Sequence, residues 1–462
     1  MFEPINLIIL LTFVGFLIRI FNIDFNSIWL DEGSTFSFSH PSKSFMDIWA
    51  LTASGEFNPP LFHWIEHIML VLFGSTEIVL RFMPCVFGTL AIPVFYYIGK
   101  EIHSEKIGLV SAFLLAISGF HVYYSQEARS YTLLMLVVSL FVLFYLRYKK
   151  EPSVLYAALM GICAAVGYWT HFWSLVVVIP FFLILFVDAI LKNKKNIIPI
   201  AIGAGIAFIA TLPLTSVMVF LFNNRLSTPS QWGSKDINLI VQYFSWVGYN
   251  NIITTFIFLF LIGMGFVILY KLKKNIATEL FGVSLFVLLV SVAISHTIPM
   301  LPRYMITLFP IFYTVAAIAI VSLYVNYRTV ACVLIACILI IGGLSLHTYY
   351  TTYTRENWKG YAGELERNTQ PGDVIVVLPD YMRLALDFYY NATEDGTSEY
   401  GVYNKVEDVM KYTDPSRRTY YIFTWDISAT DPELITVNWI RSNAKEIGTY
   451  YGITTYVREP TA

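Results

Sequence analysis

The side chains able to do chemistry in this 462-residue chain are few, and they collect at the ends of apolar runs. Asp31 and Glu32 follow the first run, in Ser27-Ile28-Trp29-Leu30-Asp31-Glu32-Gly33. Asn58 and His63 flank Pro59-Pro60. Glu127 and Arg129 occupy the turn before Tyr131, His171 closes Tyr168-Trp169-Thr170-His171, and Arg303-Tyr304 follows Pro302. A carboxylate at a membrane surface is suited to accept a proton from a lipid-borne or surface-held substrate. Each position also has a plainer reading. Asp31 and Glu32 suit the start of a helix. Glu127 and Arg129 suit an ion pair tying a tight turn. His171 suits an aromatic belt, and Arg303 suits an interface anchor whose head reaches water. The combination is what points to chemistry: several helix ends on one side carry a carboxylate, an imidazole or a guanidinium, while the loops on the other side are short and nearly all lysine.

The elements that must position these groups are membrane helices. The chain is 56% hydrophobic and 17% aromatic, with only 13% charged residues, about half the charge of a soluble domain. A net charge of -2 supplies no basic field for nucleic acid. Apolar runs of spanning length recur at roughly 5–22, 77–99, 107–124, 131–147, 153–171, 174–191, 197–222, 251–270, 278–297, 303–325 and 329–349. The first lacks a basic start and a small-residue cleavage site, so it reads as a retained helix. Cys85, Cys163, Cys332 and Cys337 lie in these runs as small apolar residues, with no metal or redox spacing. The chain is expected to be an α-helical polytopic protein of the lipid bilayer, in the cell membrane.

Basic clusters set the orientation. Lys100 to Lys106, Arg147-Tyr148-Lys149-Lys150, Lys192 to Lys195, Lys271 to Lys274 and Arg328 all fall on one side if the spans alternate. Assigning that side to the cytoplasm puts residues 23–76, 125–130, 172–173, 223–250, 298–302 and the tail outside. Residues 60–74 are apolar but short, with His63, Glu66 and His67 on one side of a 3.6-residue repeat. Counting them as a span would invert every later loop. Residues 23–76 therefore read as one external loop with two surface helices, about 42–54 and 60–73.

From about residue 350 the chain turns polar. Pro371-Gly372-Asp373 predicts a turn before a strand at Val374 to Leu378, and Thr419 to Thr424 predicts a second strand. Residues 380–390 and 431–445 read as helical. The organisation expected is a transmembrane domain over 1–349 and a small α/β domain outside the membrane over 350–462. Asn391-Ala392-Thr393 is a glycosylation triplet of little weight by itself.

Three stretches carry a resemblance. Trp29-Leu30-Asp31-Glu32, Asn58-Pro59-Pro60-Leu61-Phe62-His63-Trp64 with Leu72-Phe73-Gly74 and Arg81, and Tyr124 to Tyr131 together resemble the GT-C glycosyltransferases of the protein O-mannosyltransferase and aminoarabinose transferase type. Pro302-Arg303-Tyr304 and Arg355-Glu356-Asn357-Trp358 fit the same pattern. The resemblance covers the membrane part. It implies transfer of one sugar from a polyprenyl-phosphate-linked donor to a protein, glycan or lipid acceptor on the external face, with inversion. It makes Asp31 the base and gives Glu32 a supporting or metal-binding place. Arg129 and Arg303 become the contacts to the departing phosphate, because a lipid phosphate leaves as an anion and needs cations more than a general acid. Glu127, Tyr131, Asn58, His63, His171 and Tyr304 complete the expected substrate-binding set. Some relatives use a divalent metal, for which Asp31, Glu32, Glu127 and His171 would be ligands. Asn58 departs from relatives with a charged residue before the proline. The Trp-Trp-Asp motif of oligosaccharyltransferases is absent; Trp425-Asp426 does not supply it. The competing readings are a lipid-linked sugar transporter or flippase, which should show inverted repeats and midplane polar groups, and a non-catalytic membrane protein.

Overall fold

The computed structural model describes residues 3–54, 58–227 and 233–461. In chain order the helices are α1 Pro4–Ile20, α2 Leu30–Ser39, α3 Phe45–Ser54, α4 Pro60–Phe73, α5 Glu77–Ile102, α6 Glu105–Ala116, α7 Gly119–Ser125, α8 Tyr131–Lys150, α9 Val154–Thr170, α10 Ser174–Lys192 and α11 Ile197–Ser227. They continue as α12 Asp236–Val247, α13 Ile252–Leu272, α14 Lys274–Ser295, α15 Phe309–Asn326, α16 Arg328–Thr351, α17 Trp358–Asn368, α18 Arg383–Leu386, α19 Val406–Tyr412, α20 Ile427–Thr430 and α21 Ile435–Asn443. The strands are β1 Val374–Leu378, β2 Ser398–Gly401, β3 Thr419–Thr424, β4 Lys445–Tyr450 and β5 Ile453–Arg458. The chain divides into two compact units. The first comprises Met1–Phe21, Ser42–Met69 and Arg81–His347; the second comprises Asn22–Pro41, Leu70–Leu80 and Thr348–Ala462.

All eleven expected apolar runs are helical. Among the described residues, eight helices are long and apolar enough to cross a membrane, nine if α6 and α7, bent by 60° at their junction, count as one span. The count is lower than eleven because α1 and α9 have 17 residues each. They rise about 26 Å, short of a hydrocarbon core of about 30 Å. α4 occupies the predicted 60–73, but its polar side faces inward: His63, Glu66 and His67 are buried while Ile68, Val71, Leu72 and Phe73 are exposed. An apolar rim around a polar interior is what lipid contact favours. The helices α2 and α12 were not expected; both fall in stretches read as loop.

The first unit packs around α8 and the Pro302–Asn326 segment, which are its most buried spans. α9 and α11 approach closely at small residues: a Cβ on Gly161 would meet the Gly203 carbonyl, and one on Gly203 would meet that of Ala157. Small residues let membrane helices close backbone to backbone. Near the Lys150 end of α8, Lys149 pairs with Asp188 of α10 and, at 2.7 Å, with Glu279 of α14.

In the second unit the sheet order is β2-β1-β3-β5-β4, with β2, β1 and β3 parallel and the β3–β5 and β5–β4 pairs antiparallel. β1 is apolar throughout because both faces are covered. Ile375 and Val377 pack with Trp358, Tyr361, Leu365 and Leu386, while Val374, Val376 and Leu378 pack with Val409, Val437 and Ile440. The predicted helix at 380–390 is a short 3₁₀ turn, Asp380–Met382, running into four-residue α18. That at 431–445 is α21, whose first-turn amides at Ile435, Thr436 and Val437 are capped by Asp431 at 2.9–3.0 Å.

Candidate active site

The first unit gathers six of the predicted residues into one buried cluster. Glu127 and Arg129 lie in the turn between α7 and α8, and Tyr131 opens α8. His171 stands just past α9, and Arg303 and Tyr304 lie in a 3₁₀ segment, Pro302–Leu308, that leads into α15. Arg303 Nη1 stands 3.8 Å from Glu127 Oε1, with side-chain exposures of 10% and 0%. Its guanidinium carbon lies over the Tyr131 ring, 5.0 Å from the centroid, a cation–π contact. The His171 ring is 5.1 Å from Tyr304 and 6.1 Å from Tyr131.

Two guanidinium charges act on the imidazole of this cluster. Burial, reinforced by the Arg129 and Arg303 charges, pushes the His171 imidazole down to about 3. Its Nδ1 accepts the backbone N–H of Trp173 at 3.1 Å. The neutral ring therefore carries its proton on Nε2 and can only donate there. Among these six side chains two guanidinium charges stand against one carboxylate.

A residue that sequence reasoning passed over holds the turn in place. Arg19 is fully buried near the end of α1. Its Nη1 donates to the carbonyls of Gly15 at 2.8 Å and Ala116 at 3.1 Å, and its Nη2 donates to that of Leu115 at 2.9 Å and contacts His121 Nδ1 at 2.8 Å. The bend between α6 and α7 leaves the Leu115 carbonyl with the Ser118 amide at 3.2 Å and interrupts the helical ladder at 116, and apolar surroundings offer little water there. Arg19 supplies the donors instead. Gln126, the neighbour of Glu127, donates its Nε2 to the carbonyls of Arg19 at 2.8 Å and Phe21 at 2.7 Å. An arginine in the last turn of an apolar helix was the available signal.

Asp31 and Glu32 belong to the second unit, in the first turn of α2. Glu32 is fully buried, and Arg355 donates a hydrogen bond to its Oε2 at 3.1 Å while lying 4.4 Å over the Trp29 ring. Asp31 is half-buried. Gly33 explains the third letter of Asp-Glu-Gly: a Cβ there would run into the backbone of Leu384 and Ala385, so only glycine lets α2 lie against α18. Asn58 and His63 are buried at the head of α4, in the first unit. Among the described residues no three His, Cys, Asp or Glu side chains group in a way that would hold a metal ion.

Comparison with known proteins bears on this arrangement. The sequence model of the dolichyl-phosphate-mannose-protein mannosyltransferase family matches residues 58–216. That stretch holds Asn58, His63, Glu127, Arg129, Tyr131 and His171, and leaves Asp31 and Arg303 outside it. The fold is similar to that of ArnT from Cupriavidus metallidurans in the apo state, with a TM-score of 0.64 at 11% identity over 99% of both chains. At that identity the likeness is one of fold. ArnT bound to undecaprenyl phosphate matches with a TM-score of 0.61 at 11% identity, over 98% of this chain and 99% of that one. The oligosaccharyltransferase AglB from Archaeoglobus fulgidus, solved with an inhibitory peptide and a dolichol-phosphate, matches with a TM-score of 0.58 at 12% identity, over 99% of this chain and 74% of that one. A comparison with curated sequences returned no match. These structural likenesses cover nearly the whole chain, so they extend past the stretch that the family model matches.

Proposed function

We propose that this protein is a GT-C glycosyltransferase that transfers a single sugar from a polyprenyl-phosphate-linked donor to a protein, glycan or lipid acceptor on the external face of the cell membrane, with inversion. The observation that carries this reading is the buried pairing of Arg303 with Glu127 beside Arg129 and a neutral His171. Two guanidiniums in a low-dielectric place suit a phosphate departing from the anomeric carbon. The likeness to ArnT bound to undecaprenyl phosphate and to AglB with dolichol-phosphate supports the same donor class. The lysine-rich short loops support the external placement.

In this mechanism Asp31 takes the proton of the acceptor hydroxyl as the oxygen attacks the anomeric carbon from the face opposite the phosphate. The carbon–oxygen bond to the phosphate breaks, and the lipid phosphate leaves as an anion held by Arg129 and Arg303. Asp31 is the carboxylate assigned the proton because it holds the place of the base in the resemblance, and the buried Glu32 pairs with Arg355.

The test is release of lipid phosphate. Purified protein is reconstituted with undecaprenyl-phosphate-linked monosaccharides and envelope extract as acceptor. Asp31→Asn is expected to lower the rate by about 10²–10⁴-fold, the usual worth of a general base, with an unchanged melting curve. A variant that keeps the wild-type rate refutes the assignment.

A further inference from the structure

The parallel part of the second unit builds a second position for a ligand. From β1 the chain runs outward to β2, then crosses back past β1 to β3, so the strand order reverses between β1 and β3. In open α/β sheets the crevice outside the carboxyl ends of the strands at such a reversal is where ligands sit. β1 ends at Leu378 and is followed by Asp380-Tyr381; β2 ends at Gly401 and is followed by Tyr403; β3 ends at Thr424 and is followed by Trp425-Asp426. Three parallel strands thus deliver three aromatic rings and two carboxylates to one edge.

The side chains at that edge are set up to meet something. Asp426 is 7% exposed, and its Oδ1 is buried without a hydrogen-bond partner. The Tyr381 hydroxyl is likewise buried and unpartnered. Burial, with the charge of Asp426, pushes that phenol up, which places the two groups within electrostatic reach. Burial and nearby Glu356 push the Asp426 carboxyl up to about 6. The Tyr381 and Tyr403 rings lie 6.4 Å apart, Tyr403 is 46% exposed and Trp425 is 64% exposed. A buried polar atom left unpaired costs about 1–3 kcal/mol, and two of them at a topological ligand position point to a partner that satisfies both. Carboxylates at Asp426, Glu356 and Asp380 oppose an anionic ligand. Hydroxyl groups donate to a carboxylate and exchange hydrogen bonds with a phenol, and the C–H face of a pyranose packs on an indole. A separate cavity of about 270 Å³, lined by Tyr361, Tyr420, Tyr450 and Thr449 among others, shares none of these residues. Two of its phenols are already engaged, Tyr361 with Thr455 at 2.7 Å and Tyr420 with the Asn368 carbonyl at 2.8 Å.

We infer that the crevice at the carboxyl ends of β1 and β3 binds a neutral, hydroxyl-rich saccharide, with Asp426 and Tyr381 hydrogen-bonding its hydroxyls and Trp425 stacking on a ring. This stands on the second unit alone; that the saccharide is the acceptor rests on the transferase reading above.

Full-length protein in detergent is titrated with mannotriose, chitotriose and maltotriose, and with the same sugars carrying a primary amine, by calorimetry and saturation-transfer NMR. At least one neutral sugar is expected to bind saturably, and Trp425→Ala and Asp426→Asn are each expected to weaken it tenfold or more. Trp425 is exposed, so its removal should leave the melting curve in place, which separates lost binding from lost folding. Absence of saturable binding, binding unchanged in both variants, or binding of the amine-bearing sugars alone overturns the inference. Saccharide binding retained in an Asp31→Asn protein, whatever its transfer rate, keeps the two readings distinguishable.

Discussion

Two buried Glu–Arg pairs in this protein look alike and differ in the detail that decides their use. In each the carboxylate is wholly buried, the guanidinium is 10% exposed, and an aromatic ring lies beneath the cation. Glu32 and Arg355, in the second unit, meet at 3.1 Å with a hydrogen bond, and Arg355 lies 4.4 Å above Trp29. Glu127 and Arg303, in the first unit, stand at 3.8 Å, beyond hydrogen-bond reach, with Arg303 5.0 Å above Tyr131. At an effective dielectric constant of about 20 the attraction differs by only about 1 kcal/mol. The useful difference is the surroundings. The first pair is joined by a hydrogen bond. The second shares its site with Arg129 and with an imidazole held neutral, and its looser geometry suits a guanidinium that must also engage a phosphate. A hydrogen-bonded pair works as a clasp, whereas a pair beside further charge suits a receptor.

Breaking the clasp should give the largest effect. Arg355→Ala leaves the Glu32 carboxylate buried without its ion-pair partner and is expected to cost about 3–5 kcal/mol, read as a lower thermal midpoint of the purified protein. An unmoved midpoint would contradict the clasp. Arg303→Lys comes next. It keeps the charge and loses the planar fork, so transfer should fall by roughly tenfold to a hundredfold while the midpoint moves less than for Arg355→Ala; equal transfer by both proteins would remove Arg303 from the phosphate. The smallest effect concerns His171. With its proton affinity depressed to about 3, the folded state binds fewer protons than the unfolded state between about pH 3 and 6.5. His171 therefore weakens the fold as pH falls through that window and contributes no slope above it. His171→Gln should flatten the decline of the midpoint between pH 6.5 and 4, and an unchanged slope would show that the imidazole titrates normally.

Much of the architecture was readable from the chain. Strands at 374–378 and 419–424 and the helix at 60–73 appear at those bounds, because continuous apolar runs and a Pro-Pro start are local signals. The helix α2 was missed for the opposite reason: Leu30–Ser39 has no strong apolar stripe, and it is held in place by Gly33 lying on α18, some 350 residues later in the chain. The antiparallel strands β4 and β5 were missed as well. β4 is an edge strand, exposed along nearly its whole length, with a bulge between Glu446 and Gly448, so its pattern carries little alternation. The cluster around Arg303 was partly legible, since residue types at helix ends named its members, but Arg19 was invisible as a positioning residue until the carbonyls it satisfies were seen.

The sequence by itself determined that the chain is a membrane protein, where most of its helices run, and which ionisable residues stand at their ends, because apolar length and charge are local properties that no packing can undo. Only the tertiary structure decided which of those residues meet. It brought Glu127, Arg129, Tyr131, His171, Arg303 and Tyr304 together from three separate stretches, bound Glu32 to Arg355, and left Asp426 and Tyr381 facing one edge of a sheet. The reason is that a contact between residues far apart in the chain depends on how a bent helix, a glycine approach or a strand crossover is satisfied by its neighbours, and none of those is written at the position itself.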